Sequence, residues 1–192
     1  MARDSKKQVE GMLKMSPEEL RDVLPSVLDG IRKHGSEKML AEVPDCLAKI
    51  IRRLVEIDAA QFANNAPEAF SKFMDFFWET AGTVAEKSEE LRLALEAPGQ
   101  VHCNLEANDS PFATHFGLSA GKLSGGWGLW HFRDQDLKYY GPTKVLMGIL
   151  TGDVDLHMAG FTSISVEGLP KFQIDLTPVV AKVIPRIARG GE

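Results

Sequence analysis

The spacing of apolar residues changes near Pro98-Gly99 and divides the chain into two parts. Before this point apolar residues recur every three or four positions, which places them on one face of an α-helix. After it they alternate with polar residues in short runs punctuated by Gly and Ser, as is typical of β-strands. The pattern therefore predicts a helical first part followed by a mainly β second part.

Four helices are predicted in the first part. Ser16 and Pro17 begin one of them, because Ser is a favoured N-cap and Pro suits the first helical position. This helix is expected to run to about Gly30. The next is defined by an apolar stripe whose members share one face: Leu40, Val43, Leu47, Ile50, Leu54 and Ile57. Pro67 begins a third helix, and a fourth covers about Ser88 to Ala97.

The second part contains four short runs that predict strands. Val101 to Glu106 alternates strictly between apolar and polar residues, and His115 to Ala120 follows the same pattern. A third strand runs from Leu123 through Trp127 to Leu129, and a fourth covers Leu137 to Tyr140. Because turn residues separate the runs, we predict that these four strands form an antiparallel meander.

The remainder of the chain predicts helices around a fifth strand. Val145 to Leu150 is apolar on nearly all sides and is ended by Gly152, where helices often need a left-handed residue. A short helical turn then leads to an alternating run, Thr162 to Glu167, which is the predicted fifth strand. A closing helix begins at Pro178, and Pro185 must kink or end it.

These elements predict an α+β fold, with a five-stranded, mainly antiparallel sheet covered by helices and an additional N-terminal helical segment. A chain of 192 residues suits one main core with an appended segment. We place the boundary so that residues 1–65 form the helical extension and residues 66–192 form the sheet-containing domain.

The composition is that of a folded, water-soluble protein, with 44% hydrophobic and 26% charged residues. The formal net charge of −5 and the lack of a basic cluster predict that the chain does not bind nucleic acid. The first residues lack the apolar stretch of a secretory signal, and no apolar run approaches the roughly 18 residues of a membrane span. We therefore expect a cytoplasmic protein.

No residue pattern predicts a catalytic site, a metal site or a cofactor. The 5 histidines lack the helical spacing of metal ligands, and we expect them to be solvated. Cys103 falls on the apolar phase of its strand and should be buried, while Asp45 should raise the pKa of the neighbouring Cys46 thiol. Lys122-Leu123 departs from a phosphate-binding loop, because Leu123 stands where Ser or Thr must hold magnesium. We expect a protein that is not an enzyme.

The stretch from Gly148 to Gly168 has a distinctive order of residues. Leu-Thr-Gly at positions 150–152 is followed by a short helix, by Gly160, and by an alternating strand that ends in glycine. This order resembles the sterol carrier protein 2 (SCP2) family, and the sequence of elements from about Phe70 to Ile187 is similar to that family too. The chain departs from the family pattern at Leu169 to Ile174 and in the helices before Phe70.

The resemblance implies an apolar cavity between the sheet and its helices that accepts sterols, fatty acyl chains, phospholipids or isoprenoids. Residues 66–192 would then be the SCP2-like lipid-binding domain. Because the resemblance begins only near Phe70, removal of about the first 35 residues is predicted to leave that domain folded.

The candidate lipid-binding residues are apolar positions on the elements that would enclose this cavity. At each of them, packing in an ordinary core is the alternative. Met147 is placed on the cavity side of its helix, because Leu146 and Leu150 lie four apart and share the sheet-facing side. The full set is Phe73, Phe77, Trp127, Leu129, Met147, Leu150, Met158, Phe161, Ile164, Val166, Val180 and Ile184.

Two functions fit these predictions. The first is a lipid carrier that holds one apolar small-molecule ligand, with at most transient membrane contact. The second is a non-catalytic accessory protein that presents an isoprenoid quinone precursor or another lipid intermediate to biosynthetic enzymes. The N-terminal helices would provide the docking surface for such enzymes or for a homodimer.

Overall fold

The computed structural model describes residues 5–168 and 176–191. In its N-terminal part the helices are α1 (Ser5–Met12), α2 (Pro17–His34), α3 (Ser36–Glu42), α4 (Cys46–Glu56) and α5 (Ala59–Asn65). The predicted start of α2 is confirmed: the Glu19 N–H donates to Ser16 Oγ at 3.2 Å, and the Ser16 N–H donates to the Glu19 carboxylate at 2.9 Å. This reciprocal cap satisfies two of the free N–H groups at the helix start.

The predicted third and fourth helices are α6 (Pro67–Glu86) and α7 (Glu89–Glu96). Pro67 begins α6 as expected, and Ser88 caps α7 by accepting a hydrogen bond from the Leu91 N–H at 3.3 Å. The apolar stripe from Leu40 to Ile57 is divided between α3 and α4. The regular helix of this stripe is predicted to start at about Pro44, which has no N–H to continue a preceding helix, and α4 begins at Cys46.

Within the described residues, five strands form one sheet in the order β3-β2-β1-β4-β5. They are β1 (Val101–Ala107), β2 (Ala113–Ser119), β3 (Lys122–Trp127), β4 (Leu137–Gly141) and β5 (Ser165–Glu167). Strands β1 to β3 form an antiparallel meander. The prediction that β4 continues it is wrong, because β4 pairs in parallel with β1, with Leu105 opposite Tyr139. The alternation of apolar and polar residues predicts on which face of the sheet a side chain lies, but it does not predict which strand is the neighbour.

Helix α6 lies along β3 and makes polar contacts to the sheet. The Trp127 N–H donates to Asp75 Oδ1 at 2.7 Å, and the Trp78 indole N–H donates to Thr114 Oγ1 at 2.7 Å. A Cβ at Gly125 would lie 2.8 Å from the Trp78 ring, so glycine is needed for this close approach. With α6 in this position β3 is protected as an edge strand, and β4 pairs at the opposite side of the meander.

The C-terminal elements are α8 (Thr143–Thr151), α9 (Leu156–Thr162), a π-helical turn (Val179–Val183) and α10 (Ile184–Ala188). Gly152 ends α8 with φ +75°, which confirms the predicted left-handed cap. Helix α9 extends to Thr162, so β5 is shorter than the predicted strand from Thr162 to Glu167. The π-helical turn directly precedes Pro185, where an irregular helix was expected. The departure from the family pattern at Leu169 to Ile174 lies outside the described residues.

One cluster of buried apolar residues joins the N-terminal helices to the sheet layer. Helix α2 packs against α6, and α4 packs against α8. Leu20, Leu24, Leu28 and Ile31 of α2 are at most 2% exposed. The α+β class, with a mainly antiparallel five-stranded sheet covered by helices, is confirmed. The domain boundary at residue 65 stays a prediction, and buried contacts cross it.

Candidate functional site

Seven of the predicted lipid-binding residues are buried within the protein. Each is at most 8% exposed: Phe73, Phe77, Met147, Leu150, Ile164, Val180 and Ile184. Side chains with such low exposure contact other protein groups on nearly all sides, at the density of an ordinary interior. A ligand among these residues would require the surrounding elements to move apart.

Trp127 and Leu129 lie at and beyond the end of β3. Trp127 is half-buried, with its ring edge-to-face against Phe70 at a centroid distance of 5.9 Å. The prediction that Leu129 belongs to the third strand is wrong, because β3 ends at Trp127 and Leu129 follows in a loop. Gly128 between them has φ +86°, a left-handed conformation that turns the chain out of the strand.

The other three predicted residues face outward on α9 and β5. Met158 and Phe161 are 62% and 87% exposed, and Val166 is 52% exposed. On α9 the buried residues are Leu156 and Ala159, so Met158 and Phe161 lie away from the core side of this helix. The structure therefore separates the predicted set into an interior group and a surface group.

An apolar groove with a volume of about 290 Å³ lies between α4 and α8. It is lined by Ile51, Arg52, Val55, Glu56, Lys144, Gly148, Thr151, Asp153 and Val154. Ile51 is fully buried behind the groove, and Val55 and Val154 are half-buried in its wall. The last four residues of the lining belong to the stretch that resembles the SCP2 family. The volume is near the lower end of the roughly 300–1,000 Å³ that is typical of small-molecule sites.

Two glycines fold the chain after α8 back against that helix. A Cβ at Gly148 would lie only 2.4 Å from Val154 Cγ2, so no larger residue fits there without a shift. The N–H groups of Asp153 and Val154 donate to the Gly148 carbonyl at 2.9 and 3.1 Å, across the left-handed turn at Gly152. This turn holds Val154 at the wall of the groove.

A two-pronged ion pair connects α4 to the same turn. Arg52 donates from Nε to Asp153 Oδ2 at 2.8 Å and from Nη2 to Oδ1 at 2.7 Å. The Thr151 hydroxyl lies 2.8 Å from Asp153 Oδ2. The hydrogen bonds from Arg52 lower the pKa of Asp153, and the hydrogen bond to Asp153 raises the pKa of Arg52. Both groups are therefore charged at the rim of the groove.

A polar pocket of about 330 Å³ adjoins the groove and is lined by Pro44, Asp45, Arg52 and Arg189. Arg189 Nη1 donates to the Thr151 carbonyl at 3.4 Å, which places Arg189 at the same end of α8 as Asp153. Asp45 is paired with Lys49 at 2.8 Å. Since Arg52 lines both cavities, the apolar groove and the pocket with charged walls are neighbours.

Two further surface cavities lie outside the SCP2-like stretch. One has a volume of about 400 Å³, and its lining includes Glu37 and Lys87, which form an ion pair at 3.3 Å. The other has a volume of about 130 Å³ and includes Glu18 and Arg21. The α4–α8 groove has the more apolar lining.

On the polar face of the sheet, two histidines pack against Trp130. The ring centroids of His102 and His115 lie 4.6 and 4.9 Å from that of Trp130. Nδ1 of each histidine lies 3.0 Å from a backbone carbonyl, of Asp134 and Gly128 respectively. A carbonyl can only accept, so Nδ1 is the protonated nitrogen in both rings. Both histidines lie on the polar phase of their strands, as predicted, and are half-buried, so that they are only partly solvated.

Asn104 fixes the loop that carries Trp130. Its Oδ1 accepts from the Trp130 N–H at 2.8 Å, and its Nδ2 donates to the Trp130 carbonyl at 3.1 Å. Neighbouring His102 and His115 are thereby held in a structural cluster. Across the ranges 5–168 and 176–191, no three His, Cys, Asp or Glu side chains are grouped so that they could hold a metal ion.

Both cysteines are free and buried. Burial raises the pKa of Cys46 to about 12, with a smaller contribution in the same direction from Asp45. Burial also raises the pKa of Cys103 well above its ordinary value. The predicted burial of Cys103 is confirmed, as is the predicted direction for Cys46. Neither thiol is activated as a nucleophile.

Sequence reasoning missed the α4 wall of the groove. Ile51 lies four positions after Leu47, at the edge of the apolar stripe, and is 0% exposed, whereas Val55 lies four positions further on and is only half-buried. A second apolar row on one helix is a signal for a second contact surface, and here that surface is the groove. Nothing in the spacing alone indicates that Lys144 of α8 lines the opposite side.

Comparisons with known proteins give limited likenesses. No protein-family model matches the chain, and no curated protein matches it. A solved structure of a "UbiJ-SCP2 Ubiquinone synthesis protein" is similar at 14% identity over 59% of this chain and 89% of that chain, with a TM-score of 0.45. The inverting sec-alkylsulfatase Pisa1 from Pseudomonas sp. is similar at 13% identity over 87% of this chain and 30% of that chain, with a TM-score of 0.34.

The search for membrane-spanning segments gives a negative result. Within the described part of the chain, no helix combines the length and apolar character that crossing a bilayer requires.

Proposed function

We propose that the protein binds a lipid without catalysing its conversion, and that the groove between α4 and α8 holds part of the hydrocarbon. The observation that carries this proposal is an apolar surface that is open to solvent and bordered by charged residues. Burying hydrocarbon in such a groove contributes about 0.8 kcal/mol per methylene. The volume of about 290 Å³ favours a single chain, or one segment of a larger lipid.

We also propose that the protein is a lipid carrier, that it belongs to the SCP2 family and that it is cytoplasmic. These proposals are supported by the residues from Gly148 to Gly168, whose first part forms one wall of the groove. The close approach at Gly148 and the left-handed turn at Gly152 give a structural reason for two of the glycines in that stretch.

The seven buried candidates are proposed to line an expanded cavity that a larger ligand would open. In the described structure they fill the interior, and Met147 and Leu150 of α8 are 0% exposed. A ligand there would exchange protein–protein contacts for protein–lipid contacts. Flexible side chains such as Met147 adapt to such an exchange more readily than rigid ones.

An accessory role is the second candidate, and the surface group of α9 and β5 favours it. Met158, Phe161 and Val166 are all more than half exposed. Apolar residues that are concentrated on one part of a surface mark contacts with partners. Docking of lipid-metabolising enzymes or of a second copy through the N-terminal helices stays a prediction.

The non-catalytic part of the proposal is supported by the state of the nucleophilic groups. Cys46 and Cys103 are buried with raised pKa values. On the polar face of the sheet, the rings of His102 and His115 pack against Trp130, and Nδ1 of each ring is hydrogen-bonded to a backbone carbonyl.

Binding of cis-parinaric acid and of a fluorescent sterol to the delipidated full chain tests this function. We expect about one fatty acid per chain. Val55→Gln should weaken fatty acid binding about tenfold, which corresponds to the roughly 1.5 kcal/mol lost with one apolar contact surface. Leu93→Gln is the matched control, because Leu93 is 60% exposed on α7 and does not line the groove.

These measurements test lipid binding and the position of the binding site separately. If neither probe binds the unchanged chain at micromolar concentration, lipid binding is contradicted. If Val55→Gln and Leu93→Gln bind equally well, the groove is not the site. Thermal midpoints measured on the same samples ensure that folded proteins are compared.

A further inference from the structure

We propose that the groove selects a single-chain amphiphile with an anionic head, and that Arg189 binds this head in the polar pocket beside the groove. This inference rests on the lipid binding proposed above and specifies the class of ligand. It follows from the arrangement of the two cavities, which share Arg52 as a lining residue.

The groove is apolar, and the pocket beside it is polar. The groove contains the apolar residues Ile51, Val55 and Val154, and the pocket contains Arg52 and Arg189. The bond from Arg189 Nη1 to the Thr151 carbonyl, at 3.4 Å, places the guanidinium at the C-terminal end of α8. A molecule whose tail lies along α8 would therefore have its head at Arg189.

The charges around the pocket favour a negatively charged head. Asp153 already receives two hydrogen bonds from Arg52, and Asp45 is paired with Lys49 at 2.8 Å. Asp153 also interacts electrostatically with Arg189, which makes a smaller contribution to the lowered pKa of Asp153, but Arg189 is in none of the ion pairs within 4.0 Å that the described residues form. A guanidinium has five N–H donors, and one of them is used in the described bond to Thr151. The remaining donors suit a carboxylate, which accepts two of them side by side.

Lys182 of the closing helix provides a matched control. It is exposed and cationic like Arg189 and lies seven residues before it, but it is not among the residues that line the groove or the polar pocket. If positive charge on this part of the surface were sufficient, Lys182 and Arg189 would contribute equally, whereas a defined head position requires only Arg189.

The experiment is calorimetric titration of the delipidated full chain with dodecanoate and with dodecan-1-ol, which share a hydrocarbon chain and differ in the head. We expect dodecanoate to bind more tightly. Arg189→Gln should weaken dodecanoate binding about fivefold and change dodecan-1-ol binding less than about twofold. Lys182→Gln should leave both affinities within about twofold, and Arg189→Lys should retain most of the preference.

The results distinguish this inference from the function on which it rests. Equal binding of dodecanoate and dodecan-1-ol, or equal effects of Lys182→Gln and Arg189→Gln, would overturn the head site while lipid binding stands. Failure of both ligands to bind would overturn the proposed function as well. For the unchanged chain, raising NaCl from about 0.05 to about 0.5 M should weaken dodecanoate binding and spare dodecan-1-ol, since salt screens exposed charges. If the salt effect is absent, the anionic head site is rejected even if Arg189 variants misfold.

Discussion

Met147 and Met158 are the same residue type, eleven positions apart, and both were predicted to contact lipid. Met147 on α8 is 0% exposed and Met158 on α9 is 62% exposed. Helix α8 is packed against the sheet, α4 and the closing helix, whereas α9 buries chiefly Leu156 and Ala159. Whether an apolar residue is buried or exposed therefore depends on what packs around its helix. The type of side chain does not decide it.

The largest expected loss of stability comes from removing residues 1–35, because α2 then no longer packs against α6. Leu20, Leu24, Leu28 and Ile31 are buried there, and each contributes about 1.5–3 kcal/mol. Their sum is comparable to the total stability of about 5–15 kcal/mol of a typical protein. We expect the shortened chain to lose cooperative unfolding in urea, contrary to the prediction made from the family resemblance.

Urea unfolding followed by near-ultraviolet circular dichroism measures this effect. A cooperative transition with an unchanged midpoint would show that the interior around Met147 does not depend on α2. In that case residues 36–192 would fold without α1 and α2, as the family resemblance predicts.

The next largest change in stability is expected for Met147→Ala, which is compared directly with Met158→Ala. We expect Met147→Ala to destabilise the ligand-free protein by about 2–5 kcal/mol, because it empties a packed site. Met158→Ala should change the stability by less than about 0.5 kcal/mol, because its side chain is mostly in solvent. Denaturation midpoints of both delipidated variants measure the difference.

The same pair sharpens the assignment of the buried candidates. If Met147→Ala costs far less than about 2 kcal/mol and changes the preference for lipid chain length, Met147 lines a cavity that the packed interior conceals. Equal costs for the two substitutions would mean that the division into interior and surface groups is wrong.

The smallest effect concerns Asp153, which lies on the stretch between the two methionines. Hydrogen bonds from Arg52 lower the pKa of Asp153, so this carboxylate stabilises the fold above its unfolded pKa of about 3.9. That contribution is lost as the pH falls through the lower, folded-state pKa. Because the side chain is 43% exposed, we expect less than about 1 kcal/mol at pH 7.

Thermal midpoints of the unchanged chain and of Asp153→Asn, followed from about pH 7 to about pH 2, measure this contribution. The advantage of the unchanged chain at neutral pH should shrink as the pH falls below about 4. A difference that does not depend on pH would mean that the ionised form of Asp153 does not contribute to stability.

Local signals in the sequence were sufficient to predict many elements of the fold. The cap at Ser16, the helix start at Pro67 and the left-handed turn at Gly152 depend on residues within a few positions of each other. The buried face of β1 also follows from alternation alone. Such features are decided by backbone sterics and by nearby hydrogen bonds, which a short segment already contains.

Contacts between distant segments decided the rest. The parallel pairing of β4 with β1 joins strands that are separated along the chain by β2 and β3, and the ring of His102 packs against Trp130 of a distant loop. The groove exists only because α4 approaches α8, with Arg52 bound to Asp153 across it. The sequence determined which residues are apolar and which faces they share. Only the tertiary structure determined which of those faces are covered, because burial depends on the packing of elements that are far apart in the chain.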